Sequence, residues 1–523
     1  MKKGILLGLV VHVILLGMFL PGSGFADEKP MVIAYRGDAT TMDPHGRTES
    51  TNTMILNHLF SKLVTLGPNN EVEPELAKSW KNVDPNTWEF YLHEGLKFTN
   101  GEPVTAAAAK YSLERALNHP KSQYAYMVPD YKELVAVDDH TFRLVLKVPN
   151  PEVLFMIQGI NIVPPKYYQE NDDIYVATHP VGAGPYKFVK WVKDEYLEIV
   201  RNDDWPLKKP DFKRVLFKPI PEDATRLAAL LSGEIDVCAN VPISDIPRIV
   251  EYEKTSVVRC RSQRVIYIMF DVYTKEGGPA PEKQPGIPAG KPNPFRDIRV
   301  RKAVAHAINV DELIQHVMER SAYPATQLIG SHVNGYNPDI QQPKFDRELS
   351  RKLLKEAGYP NGFEADFDAP NNRYINDGLM AEAIAGQLEE VGIKLNVLAV
   401  PKAVFFPKIG RYESPMYLAG WSSPSFQASY DKYVRVKTKK YGRNNRGRLN
   451  DPELERMLDA ANATPDMELR TKRRQACSMR VHEHYYILPL YFQETVTGVS
   501  SRIKSDICRF NEQVHAYDFN LAK

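Results

Sequence analysis

The stretch from Glu71 to Leu117 carries the clearest local patterns in the chain and restricts it to a mixed fold of strands and helices. Apolar and polar residues alternate through Trp88–Leu92, which predicts a strand with one buried face. The turn signal Asn100-Gly101 follows it. Thr105 then occupies the N-cap position of a predicted helix, whose apolar residues recur at helical spacing: Ala109, Leu113, Ala116 and Leu117.

Helix-glycine-strand units later in the chain predict the same α/β construction. One predicted helix ends at Gly358, and another ends at Gly392 and leads directly into a strand that begins at Ile393. A further helix buries Val300 and the apolar residues at helical spacing from it. Its basic residues fall outside that apolar stripe and are expected on a solvated face: Arg299, Arg301 and Lys302.

The length and charge of the chain limit its organisation and its partners. With 523 residues it exceeds the ~250–300 at which single cores stop growing, so at least two lobes are expected. Lys and Arg total 67 against 65 Asp and Glu. Such a balance argues against a general polyanion-binding surface, so nucleic acid is not an expected partner.

Residues 1–26 have the organisation of a cleaved signal peptide. Lys2 and Lys3 precede a nearly continuous apolar run from Ile5 to Leu20, and Gly24-Phe25-Ala26 places small residues at the cleavage site. A transmembrane anchor is the alternative, but the run is short for a membrane span. Because no cysteine lies near the cut, a lipoprotein is not expected. The predicted product is soluble and exported to a Gram-negative periplasm.

Four cysteines remain in that oxidising compartment, and they allow three disulfide pairings. Pairing between sequence neighbours joins Cys238 to Cys260 and Cys477 to Cys508. Buried free thiols are the alternative. No two cysteines have the close spacing of a zinc site, so no metal centre is expected from them.

Several blocks of the sequence resemble the extracytoplasmic solute-binding proteins of ABC importers, family 5, which bind peptides, nickel or opines. The first block, EPELAKSW, occupies residues 73–80, and TWEFYLHEGLKFTNGEPVTA occupies residues 87–106. YSLERA (111–116), SGEIDV (232–237) and PFRDIRVRKA (294–303) follow in the order that the family has. The resemblance covers nearly the whole mature chain.

The resemblance implies a two-lobed α/β periplasmic binding protein of the Venus-flytrap type, with an extra subdomain inserted in lobe I. Lobe I is expected to comprise residues 27–65, 178–270 and 495–523, and the subdomain residues 66–177. Lobe II is expected to comprise residues 271–494, with a hinge at the two crossings near 270 and 494. A monomer without cofactor or metal is implied, which closes on one ligand and delivers it to the ABC permease subunits at the inner membrane.

The resemblance also implies a ligand-binding loop around Gly420-Trp421. A tryptophan beside small hydroxyl residues suits ligand contact, because it offers a flat wall together with donors and acceptors. The candidates here are Trp421, Ser422, Ser423 and Phe426. Peptide-binding members place an aspartate shortly after this tryptophan for the α-ammonium of the peptide. In this chain the first acid is Asp431, which puts a free amino terminus on the ligand in doubt.

Further candidates lie in three basic or polar segments. Thr41, His45 and Arg47 fall on or beside a loop that resembles the family's TLDPH loop near the cleft. Arg373 and Tyr374 precede a predicted helix, and the guanidinium fork of Arg373 suits a carboxylate or a phosphate, although a structural ion pair explains it equally well. Residues 432–448 contain eight Lys or Arg and no acid, and we expect a solvated loop there rather than a site for an anionic solute.

These features predict a solute-binding component that captures a peptide or a peptide-like solute. An opine or glycoside is the second ligand class, because the aspartate after Trp421 is missing, and a chelated metal is the third. A periplasmic hydrolase is the rival from another class. No GxSxG motif occurs, and His482 and His484 are not spaced to share a helix face, so neither catalysis nor a metal site is expected.

Overall fold

The computed structural model describes residues 29–273, 285–438, 441–505 and 507–522. The predicted signal peptide lies outside these residues. The fold begins with a completely buried strand of sequence MVIAY and a helix that packs behind it. These first two elements are β1 (Met31–Tyr35) and α1 (Ser50–Leu59).

The inserted subdomain forms around its own hydrophobic core and a four-stranded antiparallel sheet. The predicted strand and helix are both confirmed, and the Thr105 side chain accepts a hydrogen bond from the Ala108 N–H at the helix start. The elements are β2 (Val64–Leu66), β3 (Val72–Pro74), β4 (Ala77–Asp84), β5 (Thr87–Leu92), α2 (Ala106–Asn118), β6 (Tyr131–Ala136), β7 (Thr141–Leu146), α3 (Val153–Ile157), α4 (Pro165–Glu170) and α5 (Asp173–Val176).

The chain then returns to lobe I, where three antiparallel strands and two helices pack around β1. The last strand of this group is long and continues out of the lobe. The elements are β8 (Tyr186–Val192), β9 (Tyr196–Arg201), β10 (Arg214–Pro219), α6 (Asp223–Ser232), β11 (Val237–Cys238), α7 (Ile246–Glu251) and β12 (Thr255–Phe270).

Lobe II alternates helices with strands around the largest core of the protein, and the chain ends with a return to lobe I. Its elements are α8 (Ile298–Ala307), α9 (Val310–His316), β13 (Ala322–Pro324), α10 (Arg347–Glu356), β14 (Phe363–Pro370), α11 (Asp377–Glu389), β15 (Ile393–Val400), α12 (Lys402–Gly410), β16 (Met416–Ser422), α13 (Phe426–Tyr433), α14 (Pro452–Asn462), α15 (Met467–Glu483) and β17 (Ile487–Ser500). The short strands β18 (Ile503–Lys504) and β19 (Asn520–Leu521) follow.

Two long strands connect the lobes through one continuous sheet. Its strand order is β15-β14-β16-β12-β17-β11-β1-β10-β9-β8, with β13 paired to β17. The first half of β12 pairs with the end of β17 in lobe I, and its second half pairs with β16 in lobe II. The ladder between β12 and β17 is irregular between Arg261 and Val265, in the middle of β12. A break of this kind bends a strand and locally increases its twist.

The disulfide connectivity differs from the pairing of sequence neighbours. Cys260 on β12 is bonded to Cys508, and their Cα atoms lie 5.3 Å apart. Cys238 and Cys477 are buried free thiols, and burial raises the pKa of both. The prediction was wrong because the C-terminal segment folds back beside β12, a long-range contact that sequence proximity does not reveal.

Arg301 is buried rather than solvated, which corrects a second expectation. Its guanidinium donates to the carbonyl oxygens of Phe295 at 2.8 Å and His484 at 2.9 Å. His484 immediately follows α15, where backbone carbonyls lack partners within the helix. Arg301 therefore satisfies backbone groups that would otherwise be buried without a hydrogen bond. Among the described residues, no helix combines the length and apolar character needed to cross a membrane.

Candidate functional site

The candidate site lies at one edge of the lobe II sheet, where neighbouring strands end. β14 and β16 run parallel, so their carboxyl ends meet at this edge. Arg373 and Tyr374 follow β14, and Trp421 and Ser422 end β16. The Tyr374 hydroxyl donates to the Gly420 carbonyl at 3.1 Å, which holds the two loops together.

Arg373 is presented by a turn that Asp377 stabilises. One carboxylate oxygen of Asp377 accepts the backbone N–H groups of Arg373 and Tyr374, each at 2.9 Å. The guanidinium of Arg373 lies 5.2 Å from the centre of the Tyr374 ring. No carboxylate of the described residues comes within ion-pairing distance of it. Burial and the nearby charge of Arg264 lower the pKa of Arg373, so an anion beside it would be favoured.

The charge of Arg264 is compensated within the protein. Arg264 lies opposite Ser422 in the β12–β16 ladder and forms an ion pair of 2.6 Å with Glu512 from the C-terminal segment. The Ser262 hydroxyl also donates to Glu512, at 2.6 Å. Although burial opposes it, Arg264 lowers the pKa of Glu512 and keeps this carboxylate ionised. The pair holds the C-terminal segment against β12, beside the end of β16.

Trp421 forms a flat wall at the end of β16. Its indole N–H donates to the Ser429 hydroxyl at 3.0 Å, and its ring packs 5.0 Å from that of Tyr433. These contacts fix the orientation of the ring, while the residue stays only half-buried. The exposed face is covered by the side chain of Lys432, whose ammonium lies 4.7 Å from the ring centre.

Lys432 extends from α13 toward the inserted subdomain and contacts two aromatic rings. On the other side of the ammonium, Tyr126 of the subdomain places its ring centre 4.5 Å away. Burial and the charge of Arg443 lower the pKa of Lys432 to about 8. In the part of the chain that the structure describes, no carboxylate pairs with this ammonium.

Tyr126 and Lys432 bring the subdomain and lobe II together beside Trp421. Tyr126 retains 46% of its accessible surface, and desolvation by the surrounding protein raises the pKa of its hydroxyl. We call this junction between the subdomain and the Trp421 loop of lobe II the cleft.

A buried ion pair joins the two sides of this cleft. Glu152, at the start of α3 in the subdomain, pairs with Arg474 on α15 at 2.8 Å and also accepts the Ser425 hydroxyl. The Arg474 side chain is 1% exposed and that of Glu152 is 7% exposed. The lobes are therefore in contact in this structure.

His45 is removed from the set of ligand candidates because both its ring nitrogens are occupied. Nε2 donates to the Asn161 carbonyl at 2.9 Å, and Nδ1 accepts from Arg115 at 3.0 Å. Burial lowers the pKa of His45 to about 4, so the ring is neutral. Arg115 pairs with Asp43 at 2.8 Å, and this buried network fixes the first loop of lobe I on the subdomain.

Thr41 and Arg47 flank the same network. The Thr41 hydroxyl accepts the Asp43 N–H at 3.1 Å and so stabilises the loop. Arg47 has an exposed side chain, and its carbonyl accepts the hydroxyl of Tyr124 at 3.0 Å. Tyr124 is close in sequence to Tyr126 of the cleft, and its bond to Arg47 places Arg47 near the edge of the cleft. Arg47 therefore remains a candidate ligand-binding residue.

Three candidates near Trp421 have structural contacts instead. Asp431 is buried and pairs with Arg435 at 2.6 Å. Ser423 is buried and hydrogen-bonds within its own turn, to the backbone of Ser425. Phe426 is completely buried and stacks on Tyr430 with 4.0 Å between ring centres. These side chains face the lobe II core, whereas Ser422 stays half-buried at the site.

The described part of the basic segment 432–448 is only partly the solvated loop that we expected, because residues 436–438 and Arg443 are exposed whereas other members form buried ion pairs. Arg435 is buried and also pairs with Glu455 at 2.9 Å, and Arg448 pairs with Asp271 at 2.6 Å. Sequence reasoning treated Lys432 only as a member of this segment and missed Tyr126 and Glu152. Across the described ranges, no cluster of His, Cys, Asp or Glu has the geometry of a metal site.

The chain shows extended similarity to curated bacterial binding proteins. The model of the bacterial extracellular solute-binding proteins, family 5 Middle, matches residues 71–441. Heme-binding protein A of Haemophilus influenzae is 26% identical over 463 residues, which cover 83% of this chain and 81% of that protein. The probable D,D-dipeptide-binding periplasmic protein DdpA of Escherichia coli is 26% identical over 491 residues, 90% of each chain.

Solved structures show the same two-lobed fold. The periplasmic binding protein DppA from Helicobacter pylori, in complex with the peptide STSA, superposes with a TM-score of 0.76 at 23% identity, covering 94% of this chain and 98% of that one. The family model covers most of the chain and its blocks follow in order. The protein therefore belongs to the family 5 bacterial extracellular solute-binding proteins.

Proposed function

We propose that this protein is the periplasmic solute-binding component of an ABC importer, which captures a peptide or a peptide-like solute between its lobes and is not an enzyme. The observation that carries the proposal is the cleft itself. Arg373, Trp421 and Lys432 line one wall, and Tyr126 from the subdomain lines the other. Aromatic walls with a few convergent polar groups are typical of ligand sites.

Arg373 is proposed to bind an anionic end of the solute. Its guanidinium is accessible and unpaired among the described residues, and its fork can donate two parallel hydrogen bonds to a carboxylate. The STSA complex of the DppA relative supports a peptide as the solute. Tyr374, Ser422 and Arg47 complete the proposed contact set.

An opine-type solute is the second candidate, and a specific observation favours it. Around Trp421, the described residues offer no free carboxylate for the α-ammonium of a peptide, because Asp431 is neutralised by Arg435. The agropinic acid complex of the binding protein AgaA from A. tumefaciens R10 shows an opine on this fold, with a TM-score of 0.76 at 24% identity over 94% of this chain and 98% of that one.

Capture is proposed to proceed by hinge closure between lobe I (27–65, 178–270 and 495–523, with its subdomain 66–177) and lobe II (271–494). The irregular ladder that begins at Arg261 supports a hinge at the crossings. Because ligand contacts on both walls exist only when the lobes meet, binding stabilises the closed form through differential affinity. The closed monomer is proposed to deliver its solute to the permease subunits.

Native mass spectrometry of the freshly purified mature protein tests this proposal. We expect a discrete added mass that is released intact on denaturation. If the protein is bare, a thermal-shift screen of peptides and opines follows, in which a ligand at 100-fold its Kd adds about 2.7 kcal/mol of stability. The absence of any shift, or turnover of the solute by the protein, would contradict the proposed function.

A further inference from the structure

Within the described ranges, the Lys432 ammonium has aromatic partners but no hydrogen-bond acceptor. Its nitrogen lies 4.5 Å from the Tyr126 ring centre and 4.7 Å from that of Trp421. Ring faces attract a cation, but they do not accept the three N–H groups that a lysine ammonium presents. Among the described residues, none accepts a hydrogen bond from this nitrogen.

The electrostatic surroundings of Lys432 are positive. Burial and the nearby charge of Arg443 both lower the pKa of Lys432. Asp431 precedes Lys432 on α13, but its carboxylate pairs with Arg435, which follows the helix. A partly desolvated cation in such surroundings is stabilised most by an anion that enters the same space.

From this geometry we infer that Lys432 binds a second acidic group of the solute, so that the preferred ligand carries one anionic group at Arg373 and another at Lys432. The inference rests on the proposed function, because it assigns a charge pattern to the ligand of that cleft. It identifies the solute as a dicarboxylate of the opine type or a peptide with an acidic residue. Trp421 and Tyr126 hold the ammonium in place and exclude water from one side of it.

The position of Lys432 makes it a determinant of specificity as well as affinity. Its ammonium would repel the α-ammonium of a peptide and would leave a neutral amide without a charged partner. A charge-assisted hydrogen bond is roughly twice as strong as one between neutral groups. The acidic member of a matched ligand pair should therefore bind at least about tenfold more tightly than its amide.

Isothermal titration calorimetry at pH 7 tests this inference with two sets of probes. One set consists of N-(1-carboxyethyl) amino acids, and the other of dipeptides that contain Asp or Glu. Each probe is paired with the analogue in which one carboxylate is replaced by a carboxamide. The wild-type protein is expected to bind the fully acidic member of a pair at least about tenfold more tightly than its carboxamide analogue.

Three variants assign that preference to Lys432. K432M should bind both members of the pair equally, whereas K432R should keep the preference because it keeps the charge. K302M is the matched control, since Lys302 is also half-buried and lies 5.8 Å from the Tyr485 ring centre, on α8. It should retain the full preference. The rescue by K432R also excludes a general folding defect at this position.

The outcomes separate the inference from the function on which it rests. Equal binding of acid and amide by the wild type, or a preference that survives in K432M, would overturn the inference and leave the binding protein standing. If K432M weakened binding of the acidic probe and of its carboxamide analogue by the same factor, Lys432 would act in lobe closure instead. That result would also overturn the inference. If no probe binds the wild type and the purified protein is bare, the proposed function and the inference both fall.

Discussion

Among the described residues, α13 carries one charged side chain with an ionic partner inside the protein, Asp431, and one with only aromatic contacts, Lys432. On the core face, Asp431 pairs with Arg435, which also pairs with Glu455 and Asp459. On the cleft face, Lys432 has two aromatic rings and no acid among the described residues. Asp431 and Lys432 are adjacent in sequence, yet Asp431 belongs to an ion cluster and Lys432 does not.

This difference separates charges that maintain the fold from charges that are available to a solute. Removing the partner of a buried charge strongly destabilises the fold. The charges on the core face accordingly have oppositely charged partners within the chain. An uncompensated charge is tolerated where water enters, and it gains a partner when an anion binds. The pair between Glu152 and Arg474 is intermediate, because it is balanced only while the lobes touch.

Removing the core-face acid should have the largest effect. We expect Asp431→Ala to reduce the free energy of unfolding by about 3 kcal/mol, because Arg435 is buried and loses its most buried partner. Urea denaturation followed by circular dichroism measures the change. Asp459→Ala is the matched control, since Asp459 pairs with the same Arg435 from a side chain that is 70% exposed, and it should cost less than about 1 kcal/mol.

Ligand affinity of the folded D431A protein at low temperature should equal that of the wild type. If D431A instead lost affinity at unchanged stability, the division between the two faces of α13 would be wrong, and Asp431 would return to the set of ligand-binding residues.

Loss of the interlobe pair should act on closure rather than on folding. Glu152→Ala is expected to weaken solute binding by about 2 kcal/mol, or about thirtyfold in Kd, because the closed form loses its ion pair to Arg474. Small-angle scattering of the ligand-free variant should show a more open average shape. The exposed pair of Lys166 and Glu170 provides the control, and Glu170→Ala should change neither quantity. An unchanged Kd in E152A would show that this contact does not contribute to capture.

The affinity for an acidic solute should fall as the pH rises. The pKa of Lys432 is about 8 in the free protein, and an anion beside it raises that pKa further. Binding is therefore at full strength below pH 8 and is lost as the pH rises above it, by about tenfold between pH 7 and pH 9. The hydroxyl of Tyr126 stays neutral in this range because desolvation raises its pKa.

Calorimetry across this pH range checks the prediction, with K432M as the control. Any titration of the solute itself appears in both proteins, so only the difference between them reports on Lys432. A difference that is constant from pH 7 to pH 9 would contradict the assignment.

Local patterns in the sequence identified individual elements of the fold. Thr105 caps α2 because its side chain and the helix start are adjacent in sequence, and Gly392 ends the α11 unit in a left-handed conformation with φ of 92°. Those features depend on a few consecutive residues. The family blocks added the two-lobed arrangement, which no local pattern specifies.

The candidate site was only partly predictable because its contacts join distant parts of the chain. Trp421 and Arg373 were found through their loops, and the structure brings them to one sheet edge. Tyr126 meets Lys432 only after the subdomain folds against lobe II, and Cys508 meets Cys260 only after the C-terminal segment returns. His45 was chosen for its position beside the loop that resembles the family's TLDPH loop, but its burial between Arg115 and Asn161 removes it from the cleft.

The aromatic ring on the subdomain side should give the smallest effect. Tyr126→Leu removes the ring face above Lys432 and is expected to weaken binding of an acidic solute about threefold, since a cation–π contact at an accessible site contributes about 0.5–1 kcal/mol. Tyr126→Phe keeps the ring and should bind like the wild type, because the hydroxyl is not the contact. Calorimetry on both variants measures the difference, and urea denaturation should detect no change, since Tyr126 is 46% exposed. If Y126F weakened binding as much as Y126L, the hydroxyl would contact the solute directly, and the role of Tyr126 would change from supporting Lys432 to binding the ligand.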